Sequence, residues 1–78
     1  MVREKGEQPV TFRIEVEGLL DRKWSEWFGN MTLHPVREGM PSPRTVLEGP
    51  VSDQTALIGI LQRIVHMNLR LISVRRGE

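Results

Sequence analysis

The chain has 78 residues, and eleven basic against ten acidic side chains leave a net charge of +1. This length predicts a single domain over 9–76, preceded by a mobile arm over 1–8 and followed by a short tail over 77–78. Cysteine is absent, which excludes disulfides and thiolate chemistry and favours a reducing cytoplasm as the location. We expect no membrane span and no secretory signal. The small net charge makes nucleic-acid binding an unfavoured hypothesis.

The first predicted strand has the clearest pattern in the chain. From Pro9 to Gly18, apolar and polar residues alternate strictly: Val10, Phe12, Ile14 and Val16 against Thr11, Arg13, Glu15 and Glu17. This period of two is typical of a strand with one buried face and one face in water.

A tryptophan segment follows the first strand. Asp21 can cap a short helical turn over 21–27, which places Trp24 and either Trp27 or Phe28 on one side. The three aromatic residues have two interpretations, a lid over one end of a small core or anchors at a protein interface. A mixture of the two, with one ring buried and one exposed, is the third.

Two further strands flank a proline-rich loop. We predict a strand over 28–34, with Met31 and Leu33 facing inward, and a strand over 44–49 that Gly49 and Pro50 end. The loop over 35–43 holds three of the five prolines, and the sequence leaves open whether it has a function. In the later strand, Thr45 and Leu47 share one face, and Val46 and Glu48 share the other.

An amphipathic helix is predicted from its cap, Ser52 or Asp53, to Met67 and Asn68. Its apolar arc has Leu57, Leu61 and Ile64 at the centre, Ile60 and Met67 on one flank, and Ile58 and Val65 on the other. The arc spans roughly 180°, whereas contact with a sheet needs only about 100° or somewhat more. We therefore expect one flank to meet either the tryptophan segment or a second copy of the chain.

A last strand is predicted over 69–75, with either Ile72 and Val74 or Leu69 and Leu71 facing the helix. The elements together predict an α+β fold, a two-layer sandwich in the order β-β-β-α-β. One helix covers a four-stranded, mostly antiparallel sheet with strand order 4-1-2-3. The other sheet face is predicted to carry Thr11, Arg13, Glu15, Glu17, Thr32, His34, Val46 and Glu48.

The sequence predicts no catalytic, cofactor-binding or metal-binding residue. His34 and His66 lack ligand spacing, and Ser25, His34 and Asp53 form a triad only on paper. The turn before the helix has neither a glycine-rich phosphate motif nor a Walker-type lysine, so capping is the favoured role of Asp53.

Several segments resemble a family of short prokaryotic proteins of unknown function. They are Phe12-x-Ile14-x-Val16-x-Gly18, Trp24-x-x-Trp27-Phe28, Thr45-x-Leu47-x-Gly49-Pro50-Val51, Asp53-Gln54-x-x-Leu57-x-Gly59-x-Leu61 and Leu69-x-Leu71-Ile72-Ser73-Val74. The resemblance covers nearly all of 10–75. It implies a shared fold and assigns no catalytic or ligand-binding residue.

The leading functional hypothesis is a small cytoplasmic module that binds another protein or itself, as a homodimer, and catalyses nothing. The candidate interface residues are Trp24, Trp27, Phe28, Ile58, Ile60, Val65 and Met67. One alternative is a small-ligand sensor whose pocket lies between the helix, the tryptophan segment and the long loop. Another is an enzyme subunit with a site shared between two copies.

Overall fold

The computed structural model describes residues 9–39 and 43–77, and these fold into one sheet with a helix on one face. The elements are β1 (Val10–Glu17), a 3₁₀ helix (Arg22–Phe28), β2 (Thr32–Val36), β3 (Arg44–Val51), α1 (Gln54–His66) and β4 (Leu71–Arg76). The α+β fold and its element order are confirmed. The predicted arm over 1–8, the middle of the loop at 40–42 and the last residue of the tail lie outside the described residues.

The strand order is β2-β3-β1-β4, and every neighbouring pair is antiparallel. The prediction was right to place β4 beside β1 and wrong to place β2 there. Strands β1 and β3 have eight residues each and pair along their whole length, from Val10 opposite Val51 to Glu17 opposite Arg44. A five-residue β2 offers fewer ladder hydrogen bonds, so the two long strands form the centre and β2 lies at an edge.

Strand β2 is shifted from its predicted position over 28–34. The 3₁₀ helix continues through Phe28 and ends where Gly29 and Asn30 adopt left-handed backbone, with φ of 69° and 64°. The strand therefore starts at Thr32 and continues through Pro35. The inward positions predicted for Met31 and Leu33 are confirmed, since both side chains are buried.

Backbone direction explains why Pro35 fits within β2. The N–H of Gly18 donates to the carbonyl of Pro43 at 2.9 Å, so the backbone groups at position 43 point toward β1. Because backbone direction alternates along a strand, the N–H and C=O groups of the even-numbered residues of β3 point toward β2. Their partners in β2, including His34 opposite Val46, face β3. Pro35 then faces the open edge, where no ladder hydrogen bond needs its missing N–H.

The same alternation corrects the prediction that Pro50 ends β3. The strand continues to Val51, and Pro50 lies opposite Thr11 of β1. The backbone side of Pro50 that lacks the N–H is turned toward β2. Because β2 begins at Thr32, it does not reach as far as Pro50. Proline therefore removes no hydrogen bond from the sheet at this position.

The core lies between α1, the 3₁₀ helix and the inner face of the sheet. Its buried apolar residues are Ile14, Val16, Leu20, Phe28, Met31, Leu33, Leu47, Val51, Ile60 and Ile64. The backbone of α1 approaches β3 and the 3₁₀ helix. The helix therefore covers one half of the inner face more closely than the half that carries β4.

Both predicted ends of α1 are confirmed. The Asp53 carboxylate accepts a hydrogen bond from the N–H of Ala56 at 2.8 Å, so Asp53 and not Ser52 is the cap. Asn68 closes the helix with a φ of 62°.

Strand β4 starts two residues later than predicted and continues to Arg76. A register shift between Glu15 and Val16 interrupts its pairing with β1. Val74 lies opposite Ile14, and Leu71 lies opposite Val16, so both side chains are on the helix side of the sheet. The sequence predicted either Ile72 and Val74 or Leu69 and Leu71 on this side, and Val74 and Leu71 come one from each pair.

Candidate interaction surface

Two neighbouring elements leave apolar side chains in solvent. On α1, Ile58 and Val65 remain 47% and 69% exposed; on β4, Leu71, Ile72 and Val74 remain 44%, 37% and 36% exposed. Together with the half-buried Leu61 we call these residues the α1/β4 surface. Single exposed apolar residues are ordinary, but a group of them on elements that follow each other in the chain is a candidate binding surface.

The side of α1 that carries Ile58 and Val65 is turned toward β4. Its opposite flank meets the 3₁₀ helix, because Ile60 lies close to Gly29. At about 100° per residue, Ile58, Leu61 and Val65 fall on the other flank. The N-terminal end of α1 confirms the direction, since Leu57 lines a groove shared with Phe12 of β1 and Arg76 of β4.

The seven predicted interface residues separate into buried and accessible groups. Phe28 and Ile60 lie in the core, and Met67 packs partly against it. The accessible residues are Trp24, Trp27, Ile58 and Val65. One flank of the wide apolar arc therefore meets the tryptophan segment, and on the other Ile58 and Val65 remain exposed.

The 3₁₀ helix divides its three aromatic side chains between the core and the solvent. Asp21 caps it by accepting from the N–H of Lys23 at 3.0 Å, and Phe28 is fully buried at its end. Trp27 stays exposed, and the guanidinium of Arg63 on α1 lies 5.3 Å from its ring centroid. This cation–π contact stabilises the packing of α1 on the 3₁₀ helix by about 0.5–1 kcal/mol at an exposed site.

A groove runs along α1 between Gly29 and the end of β3. Its volume is about 560 Å³, and its lining residues include Gly29, Pro50, Gly59 and Arg63. Arg63 adds one cation to its lining. The lining contains no residue of the tryptophan segment or of the proline-rich loop, both of which the sensor hypothesis had placed there.

The sequence prediction missed the three residues that β4 contributes to the surface. Their alternation identified a strand, but a period of two does not say which strand lies at an edge or how far a helix reaches across it. The signal that could have found them is the predicted place of β4 beside β1, which puts it at the end of the sheet.

Comparison with known proteins gives one match. The model of a family described as Domain of unknown function (DUF8691) matches residues 11–75, which includes nearly all of β1 and β4 and everything between them. The chain belongs to this family. No curated protein and no solved structure matches it. The family description assigns no activity, so the surfaces of this DUF8691 domain are the basis for its function.

The outer sheet face of the DUF8691 domain is polar and ion-paired. Glu15 lies 3.4 Å from Arg44 and 3.8 Å from Arg13, and His34 lies 3.8 Å from Glu48. The predicted members of this face are confirmed by the register, although Val46 at its centre is buried. The Glu15 carboxylate is paired with two arginines, and among residues 9–39 and 43–77 the face presents no aromatic ring for stacking on a base.

The residues considered for catalysis or metal binding have other roles or positions. The Ser25 hydroxyl donates to the carbonyl of Met31 at 2.6 Å, which fixes the turn after the 3₁₀ helix. Asp53 caps α1, and His34 and His66 lie on the outer sheet face and on α1. Among residues 9–39 and 43–77, no group of three His, Cys, Asp or Glu side chains could hold a metal ion. The helices in these ranges are also too short or too polar to cross a membrane.

Proposed function

We propose that this protein is a small non-catalytic module that acts by self-association, as a homodimer formed through the α1/β4 surface. The observation that carries the proposal is the exposure of Ile58 and Val65 on a helix whose other apolar residues are buried or half-buried. A second copy that covers this flank would remove apolar area from water, which stabilises an interface by about 25 cal/mol per Å².

The chemistry of the surface favours a second copy as its partner. A two-fold dimer uses the same patch on both subunits, so the patch must be compatible with itself. All six residues of the α1/β4 surface are apolar, and no charge within it opposes its own image. The net charge of +1 adds little repulsion between two whole chains.

Light scattering coupled to size exclusion tests the dimer at micromolar concentration. The expected mass is twice the 9.0 kDa of one chain. Val65→Asp places a charge in the interface and is expected to give a monomer with unchanged circular dichroism. Thr55→Asp is the matched control, because it introduces the same charge at an exposed position of α1 that does not line the groove with Ile58, Leu61 and Val65. A wild-type mass of 9.0 kDa would reject the proposal.

A cytoplasmic location is part of the proposal. It is supported by the absence of cysteine from the chain, which suits a reducing compartment without requiring one. Fractionation of cells that express the protein tests it, and recovery in a secreted or membrane fraction contradicts it.

The second candidate is a small-ligand sensor that uses the groove along α1 beside Gly29. It is favoured by Arg63, which lines this groove of about 560 Å³ and whose guanidinium lies 5.3 Å from the ring centroid of Trp27. A ligand bound there would change the fluorescence of Trp27. Titration with a panel of anionic metabolites tests this role, with Arg63→Ala as the control that should remove the response. A flat response of the wild-type protein throughout the panel contradicts it.

A further inference from the structure

We propose that two copies join edge to edge along β4, so that their four-stranded sheets become one continuous antiparallel sheet with Ser73 of both copies at the two-fold axis. This inference rests on the self-association proposed above and specifies how the copies meet. It is carried by the direction of the β4 backbone, the faces of its side chains and the protection of the opposite edge.

The backbone of β4 points alternate residues away from the sheet. The N–H of Gly77 donates to the carbonyl of Thr11 at 2.7 Å, so Gly77 faces β1. Antiparallel pairing then turns Arg75 and Ser73 toward β1 as well. The N–H and C=O groups of Val74, between them, are left at the open edge, and Ile72, the residue at the register shift, has no partner in β1.

The same two residues leave their side chains uncovered. Val74 lies opposite Ile14, on the helix side of the sheet, and Ile72 is the extra residue at the register shift, next to Leu71 on that side. Both side chains are more than one third exposed, since α1 lies closer to β3. A strand added at this edge would pair with the open backbone groups and would also pack beside the exposed apolar side chains.

The opposite edge of the sheet disfavours pairing of β4 with β2 of a second copy. Pro35 faces the open edge of β2 and has no N–H to donate there. Such a pairing would therefore lack a hydrogen bond at the fourth residue of a five-residue strand. Pairing of β4 with itself has no such defect and gives a closed two-fold dimer.

The faces of the side chains select the register. Residues whose backbone groups point to the open edge form the hydrogen-bonded pairs of an added strand. In the proposed register, Ile72 of each copy lies opposite Val74 of the other, and the two Ser73 residues lie opposite each other between these pairs. If Val74 lay on the axis instead, Arg76 would lie opposite Ile72. In the proposed register Arg76 lies beside Arg70 of the second copy, and Arg70 is 3.6 Å from Glu17, which supplies the opposite charge.

Single-cysteine variants test the register cleanly, since the chain contains no cysteine. Ser73 would be a non-hydrogen-bonded pair with its copy, with Cα atoms about 4.5 Å apart, which is within the range for a disulfide. Ser73→Cys is expected to form a disulfide-linked dimer under mild oxidation. Ser52→Cys, at an exposed position before α1, is the control for random collision.

A proline variant supplies an independent readout. Val74→Pro removes an N–H at the open edge only, as Pro35 does in β2. It is expected to weaken the dimer roughly tenfold through the two hydrogen bonds lost, one per copy. Val74→Ala, which keeps the N–H, separates this effect from the loss of apolar area.

The outcomes distinguish the two proposals. A dimer in solution in which Ser73→Cys links efficiently and Ser52→Cys does not supports edge pairing. A dimer in which the two cysteine variants link equally slowly leaves self-association in place and overturns edge pairing. A monomeric wild-type chain overturns both.

Discussion

The hydroxyl of Thr45 accepts a hydrogen bond from the backbone N–H of Leu20 at 2.8 Å. The same hydroxyl donates to the carbonyl of Gly18 at 2.9 Å, and Thr45 is completely buried. One side chain near the start of β3 thus satisfies two backbone groups of the loop that leaves β1. A buried donor or acceptor without a partner destabilises a protein by about 1–3 kcal/mol.

Thr45→Val is therefore expected to lower the free energy of unfolding by about 1–3 kcal/mol, because valine keeps the shape and removes both hydrogen bonds. Urea denaturation followed by far-UV circular dichroism measures the change. Thr45→Ser is the control, and it should retain most of the stability. Equal losses in the two variants would show that the methyl group, not the hydroxyl, is what matters.

Gly59 lies in the middle of α1, where a Cβ atom would meet no other atom within 4 Å. Gly59→Ala is therefore expected to raise the free energy of unfolding by about 0.5–1 kcal/mol through helix propensity. Gly29→Ala is the contrasting variant, since Gly29 has a φ of 69° and alanine is strained there. It is expected to destabilise by roughly 1 kcal/mol. Thermal unfolding of both variants checks the opposite signs.

The Asp53 cap predicts a difference between two neighbouring residues. Asp53→Ala leaves the Ala56 N–H without its carboxylate partner and is expected to destabilise the fold by about 1 kcal/mol. Ser52→Ala removes a side chain that caps nothing and should change stability by less than about 0.5 kcal/mol. Chemical denaturation compares the two. A larger effect at Ser52 would contradict the assignment of the cap.

Arg13 and Arg75 lie directly opposite each other in the β1–β4 ladder, with their side chains on the outer face. Like charges in this position are destabilising, so Arg75→Glu is expected to stabilise the fold by about 0.2–1 kcal/mol. Added salt should reduce the gain by screening. Arg76→Glu is the control, because Arg76 lies opposite the apolar Phe12. Stabilisation by both variants alike would point to net charge instead of the pair.

The sequence predicted the elements whose signals are local. Strict alternation fixed both ends of β1, and Asp53 and Asn68 fixed both ends of α1. The order of the strands depends on which long strands pair across the sheet, and nothing near β2 in the chain reports that β3 is the better partner for β1. The position of Pro50 inside β3 likewise depends on where another strand ends.

The candidate surface was predicted only in part, for the same reason. The width of the apolar arc predicted that Ile58 and Val65 exceed what a sheet can cover. Which flank would stay open depends on the tilt of α1 toward the 3₁₀ helix, a tertiary property that periodicity does not contain. The three exposed residues of β4 could be identified only from the structure, in which the tilted helix does not cover them.

Pro35 has a consequence for the behaviour of the protein at high concentration. A sheet with two receptive margins can recruit copy after copy and grow into a fibre. In this chain one margin carries an imino acid, which removes a donor there and makes that margin a poorer template for a further strand. One proline thus works against aggregation as well as fitting the edge position of β2.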